Sequence, residues 1–449
     1  MAKIEQGQKG AQLLELAHEA GRKARALGAD EARVAISRAR GVEVEWRDGQ
    51  VERVQERTRR GLSVELFVDG RYAAMSTNDL RPEAVDRFLA EAVAMTRLLE
   101  PDPHRCLPDP ARYAGRADVD LQLCDASQAE VTSDARRALA AELEARVREG
   151  AGDLPIVSVS SGVDDDWGES ARIHTNGFEG WREGTHFSRS VQVTLKEPDG
   201  RRPMGWSYTV RRFQADLDAP EKIALEARER ARLQLGAGKL STGRYTVVVD
   251  PKATPRLLGA FLAPISGAAL QQKRSLWDGK LGAQIASKLL TIHDDPWRVR
   301  GLGSALWDGD GFATRPRPII EAGVLSTYLI DDYYARKMGV APTGGSTHNF
   351  VWAYGDRALS GLVADVGEGV YIDRFLGGNS NETTGELSLG CAGRVIRGGQ
   401  LAEPVTEVNL AGHFGALWEA LVAVGNDPDP NSSSGAPSCV FEGVQLSGV

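Results

Sequence analysis

The chain has 449 residues, with 54 Lys and Arg against 62 Asp and Glu, a formal net charge of −8. That length allows two or three domains, each with a core of its own. With 42% apolar and 26% charged residues, it is neither a disordered chain nor a coiled coil.

No apolar run approaches the ~20 residues of a membrane span. The N-terminus, MAKIEQGQKGAQLLELAHEAGRK, lacks a signal-peptide core, so a cytoplasmic protein without membrane contact is expected. Residues 351–449 hold 4 Arg, no Lys and 12 Asp and Glu, so this stretch carries the whole −8 and the first 350 residues are neutral. A nucleic-acid binder needs a clustered basic surface, and none is indicated. The same tail holds 17 of the 50 glycines, which predicts turns and short strands.

Leu13, Leu14, Leu16, Ala17, Ala20, Ala24 and Leu27 fall on one helical stripe that stops at Gly28. The segments RVAIS, VEVEW, VERVQER and LSVELFV follow, with Asp48-Gly49 and Asp69-Gly70 as hairpin turns between them. This predicts an antiparallel meander. A helix follows from about Asp79, with Pro82 in its first turn. Residues 101–125 form a proline-rich connection, and Ser127 with Glu130 reads as the capping box of a helix reaching about Arg148. Strands are expected near 155–161, 186–196 and 205–211, then a helix from about Asp218 to Gly236. The second half opens with a strand at 245–250 and a helical stretch, Thr254–Gln272, interrupted by Pro264. Gly/Asp turns, a hairpin about Ala322-Gly323 and one tail helix near 414–424 complete the pattern. The class is α+β. An N-terminal domain of antiparallel or mixed sheet with flanking helices is expected over 1–125. A central α+β segment packed with it covers 126–240, and a β-rich domain 241–449.

The chemical motifs are sparse. GAGKLSTG (236–243) has Leu233 and Leu240 where a phosphate loop needs Gly and Ser/Thr, so it reads as a helix end before a strand. His18-Glu19 opens a metal-helix pattern, but Arg22 and Lys23 stand where a second His is needed, and no two His are closer than His174 and His186. The acidic clusters Asp164–Asp166, Asp294-Asp295, Asp308/Asp310 and Asp331-Asp332 read as turns and caps. His293-Asp294-Asp295 is the best local metal candidate, without a visible third ligand. Four cysteines, Cys106, Cys124, Cys391 and Cys439, have no CxxC spacing and read as reduced thiols. No GxSxG occurs.

The second half resembles the TldD/PmbA family, once called modulators of DNA gyrase. The resemblance runs through Lys273-Arg274-Ser275, the DDP turn at 294–296, Asp308 to Gly311, Gly323 and Ala335-Arg336 with Gly339. It continues through GGNSNETTGELSLGCAGRVI, PVTEVNLAG and VGNDPD, and in the first half through VERVQE, RGLSVELFVDGR, STNDL and EPDPHRCLPD. It implies a place in a two-subunit cytosolic zinc peptidase acting on small or unfolded peptides. The TldD-type subunit of such a pair carries HExxxH and a later Cys. The corresponding stretch here, Thr254–Gln272, contains no His, Glu, Asp or Cys. The resemblance is therefore to the PmbA/TldE-type subunit, with no metal in this chain and zinc in a TldD-like partner. A peptide is the expected substrate, and a homodimer is the assembly expected without that partner. Asp294, Asp295, Asp310, Gly311, Asn381, Thr384 and Gly385 are the candidate peptide-binding or subunit-interface residues. Glu386-Leu387 replaces the family's Asp-Phe, His413 replaces an Asn, and Cys439 reads as a buried apolar thiol. A homodimeric peptide-binding protein without catalysis, and a peptidase with unconventional ligands around His293 and Asp294, are the alternatives.

Overall fold

The computed structural model describes residues 10–448. The export reading above therefore falls in part, over residues 1–9, outside the described residues. Helix α1 (Ala11–Ala26) buries Leu13, Ala17, Ala20 and Ala24, one stripe at helical spacing. Strands β1 (Glu31–Arg47), β2 (Gln50–Val68) and β3 (Arg71–Thr77) form the meander. Both Asp-Gly turns have two successive positive φ angles, 47° and 87° at Asp48-Gly49 and 51° and 72° at Asp69-Gly70. That matches the type I′ geometry the dipeptide favours. Helix α2 (Pro82–Thr96) starts on its proline.

Helix α3 (Ser133–Glu149) begins later than the Ser127/Glu130 box predicted. Asp125 instead caps a short 3₁₀ turn, Ala126–Glu130, and Thr132 caps α3 by accepting from Ala135 N at 3.1 Å. Strands β4 (Ile156–His174), β5 (Glu179–Leu195) and β6 (Met204–Arg211) follow, then α4 (Pro220–Arg232). β4 runs straight through Asp164–Asp166, which is not a turn. Asp165 points to the helix side, where Arg136 of α3 meets it through two hydrogen bonds of 2.6 and 2.8 Å. A partner cation makes an acidic residue affordable in a strand interior that propensity alone disfavours.

The six strands form one antiparallel sheet in the order β3-β2-β1-β4-β5-β6. Its halves repeat one topology, helix–three strands–helix, and meet where β1 pairs with β4. All four helices cover one face. α1 and α2 pack over Val34, Leu66 and Ile173, and α3 and α4 over Val44, Val163 and Val193. The face opposite is polar, and the rest of the chain leans on it. Arg33 pairs with Asp310 at 3.2 Å, Arg212 donates to Leu302 O at 2.7 Å, and Asn431 accepts from Val210 N at 3.0 Å.

Strand β7 (Gly243–Val249) leads into α5 (Thr254–Leu262), a 3₁₀ turn through Pro264, and α6 (Gly267–Gln271). A small sheet collects β8 (Ile292–Asp294), β9 (Arg317–Glu321) and β10 (Val324–Leu325), with α7 (Asp332–Met338) beyond it and β11 (Phe350–Trp352) on its edge. Helix α8 (Leu359–Val366), unanticipated from the sequence, precedes the long strands β12 (Gly369–Ser380), β13 (Glu386–Arg397) and β14 (Gln400–His413). The expected tail helix is shorter, α9 (Phe414–Glu419). Its last predicted residues form β15 (Leu421–Val424), and β16 (Cys439–Ser447) ends the fold. β14, β13, β12, β7 and β16 close into a barrel through the β14–β16 pairing. The fold is α+β with a C-terminal β-barrel. Among the described residues no helix is long and apolar enough to cross a membrane.

Candidate functional site

Helix α5 has two faces at helical spacing. Leu257, Leu258, Phe261 and Leu262 are buried in the barrel core, where the Phe261 ring meets Trp277 and Trp418. The opposite face presents Arg256, Gly259, Ala260 and Ala263. Ala260 and Ala263 line a groove of about 820 Å³ whose wall is the β12–β13 hairpin, from Asn379 to Ser388.

The hairpin is held by its own side chains. Asn381 Oδ1 accepts from Thr383 N at 2.9 Å and Thr384 N at 3.2 Å, and Gly385 N donates to Asn381 O at 2.8 Å. Gly385 sits at φ 79°, and a Cβ there would lie 2.2 Å from His413 Nε2. The two departures from the family pattern face each other, since Glu386 on β13 pairs in register with His413 on β14. His413 Nδ1 also accepts from Ala416 N at 3.3 Å and so caps α9. Arg274 closes the groove's far side, tied to Glu382 at 3.3 Å.

One edge of β12 is open. β7 pairs in parallel with Val370–Ile372 only, so the β7 side of Asp373–Ser380 has no strand partner among the described residues. At about 3.3 Å per residue that edge is roughly 25 Å long. Arg256 donates to Gly378 O at 2.9 Å, which ties α5 to the middle of the edge.

The seven candidate residues do not converge. Asn381 lines the groove, and Thr384 and Gly385 shape its turn. Asp294 is fully buried, accepting from His348 N at 2.6 Å and His348 Nδ1 at 3.1 Å and pairing with Arg317 at 3.3 Å, so it has no surface to offer a peptide. Asp295 makes a turn with Trp297 N at 2.9 Å. Asp310 binds Arg33, and a Cβ on Gly311 would stand 2.6 Å from Phe178. Asp310 and Gly311 join this region to the first half of the chain, while Asp294 and Asp295 hold together segments of the second half. His293 and Asp294 lie on opposite faces of β8, His293 exposed and Asp294 buried, so they cannot reach one metal together. Cys439 is buried, and burial pushes its thiol up, away from the thiolate a metal needs. Among the described residues no group of three His, Cys, Asp or Glu comes together to hold a metal.

What the sequence reading passed over is Arg256 and the small residues beyond it. Their i, i+4, i+7 spacing at 256, 260 and 263 was the available signal. Zinc does not fit here: the exposed face of α5 offers one guanidinium and no imidazole, carboxylate or thiolate.

Three family models match in succession: PmbA/TldA metallopeptidase domain 1 over 32–96, the central domain over 126–235 and the C-terminal domain over 242–448. Metalloprotease PmbA of Escherichia coli O157:H7 is 29% identical over 431 residues, covering 93% of this chain and 92% of that protein. The Haemophilus influenzae PmbA homolog is 27% identical, covering 93% and 92%. A Bacteroides thetaiotaomicron protein that carries the modulator-of-DNA-gyrase name superposes with a TM-score of 0.93 at 39% identity, over 97% of this chain and 98% of that one. TldE of Thermococcus kodakarensis shares the fold, with a TM-score of 0.85 at 20% identity over 96% and 100%. On the strength of these full-length matches, the chain belongs to the PmbA/TldD metallopeptidase family.

Proposed function

We propose that this chain is the non-metal subunit of a two-subunit zinc peptidase, paired with a TldD-like subunit that carries HExxxH. Its groove along α5 and β12 would receive an extended small or unfolded peptide. The observation that carries this reading is the pairing of an open strand edge with a helix face stripped of ligands. Apart from the Gly378 carbonyl, which Arg256 holds, the edge of β12 beyond Ile372 offers its backbone to no strand among the described residues, as the recognition mode of strand addition requires. Gly259, Ala260 and Ala263 opposite leave room for a main chain and hold no metal. Main-chain binding reads little sequence, as suits a peptidase for unfolded chains, and a cleft closed by two subunits keeps folded proteins out.

The test is co-expression with an HExxxH-bearing homologue. Co-purification of the two chains, and peptide cleavage by the pair above that of the partner alone, are expected. Absence of both overturns the proposal.

A further inference from the structure

A second cavity, of about 420 Å³, lies immediately upstream along β12. It sits where the edge strand of the first sheet, β6, meets the barrel. Met204 and Trp206 alternate along β6 onto its wall, and Leu376 of β12 faces them. These three large apolar side chains are 51%, 53% and 52% exposed. Three half-exposed apolar groups around one concavity are uncommon on a finished surface and indicate a place for a ligand. The Trp206 ring is stacked on Tyr208 at 4.9 Å and 14°, so the two rings present one aromatic wall.

The charges lining the cavity are matched with one exception. Arg230 pairs with Asp250 at 3.3 Å, Arg374 with Asp373 at 2.8 Å, and Lys252 with Glu226. Among the described residues Arg256 has no carboxylate within ion-pair reach. It donates to the Gly378 carbonyl, at the seam between this cavity and the α5 groove. A guanidinium without a carboxylate partner next to an aromatic wall favours a carboxylate close to a large apolar side chain.

We infer that this cavity is a specificity pocket. It seats a large, preferably aromatic, side chain of the peptide lying along β12, while Arg256 receives a carboxylate adjacent to that residue. The carboxylate is either the peptide's own C-terminus or a neighbouring acidic side chain. The inference rests on the strand-addition reading and adds to it a side-chain preference that main-chain binding lacks.

The experiment measures fluorescence anisotropy of labelled octapeptides of Gly, Ser and Thr on the full chain. One carries a penultimate Trp and a free C-terminal carboxylate, a second is its C-terminal amide, a third is that amide with Asp beside the Trp, and a fourth has Ala for Trp. The Trp peptides with a carboxylate are expected to bind about tenfold or more tightly than the Ala peptide, the return for seating one large apolar side chain. The stronger of the free acid and the Asp amide identifies the carboxylate's source. Trp206→Ala should abolish the preference for Trp, and Arg256→Gln the difference between acid and amide. Leu376→Asp, on an exposed position, should weaken the acid peptide more than the amide. If all four peptides bind equally to the unsubstituted chain, the pocket is refuted and strand addition stands. If none binds, strand addition falls as well.

Discussion

Replacing Asp165 by Ala should unseat α3 from the sheet. The carboxylate receives Arg136 Nε at 2.6 Å, Arg136 Nη2 at 2.8 Å and Gln128 Nε2 at 2.7 Å. Both charged side chains are almost wholly buried, 5% and 2% exposed, so water cannot take over when one is removed. Arg136 would keep only the Val131 carbonyl, at 2.9 Å. Breaking a buried pair from one side costs about 3–5 kcal/mol. For a unit of some 200 residues, where each kcal/mol moves the midpoint by about 2–4 °C, the melting temperature should fall by roughly 6–20 °C. Thermal unfolding of the full chain at neutral pH, followed by circular dichroism, measures it. The double variant Arg136→Met, Asp165→Leu removes both charges and should recover most of the loss. A drop of under about 2 °C in the single variant would mean that the pair is hydrated, refuting the argument. A double variant as unstable as the single would show that packing, and not the orphaned charge, was at stake.

Asp308 is held up at about pH 6 by burial and by the neighbouring Asp310. Its proton binds more tightly in the folded state, so stability is lost as pH rises from about 4 to 6, by at most about 3 kcal/mol. Asp308→Asn, which can still accept from Asp310 N and Phe312 N, should raise the melting temperature at pH 7.5 and flatten its slope between pH 4 and 6; an unchanged slope counts against it. Gly205→Ala puts a Cβ 2.1 Å from Ala227 O and 2.2 Å from Ala231 N, helix backbone that cannot step aside. It should cost about 1–3 kcal/mol in urea denaturation, and a neutral result would mean that α4 lies further from β6. Ala260→Trp fills the groove from its half-buried floor. Peptide binding should weaken at least about tenfold with the melting temperature little changed, and unaltered binding would place the peptide elsewhere.

The residues that were legible in the sequence are those whose job is local. Pro82, the two Asp-Gly turns and the alternation of LSVELFV need only their neighbours, and all stand where expected. The errors share a cause. Asp164–Asp166 reads as a turn because propensity carries no record of Arg136, on a helix earlier in the chain. RVAIS and VEVEW are separate segments in the sequence reading, with the charged Arg38–Gly41 between them. Yet Arg38 meets Glu169 and Arg40 meets Glu56 across the sheet, so the charged stretch stays in register and β1 is continuous.

Of the groove, the turn at Asn381, Thr384 and Gly385 was legible through the family resemblance, and the α5 floor and the open edge were not. Its floor comes from 256–263 and its wall from 373–388. What joins them is a missing pairing: β7 ends at Val249 while β12 continues to Ser380. A mismatch in strand length is not a motif and leaves no composition to read. Three of the candidates drawn from the resemblance, Asp294, Asp295 and Asp310, are engaged by Arg317, a turn and Arg33. Ala260 and Ala263, which look like filler, mark the surface left free. If this chain is the non-metal subunit proposed above, its functional face should be sought where backbone is exposed and side chains are small. That is the pattern α5 and β12 share.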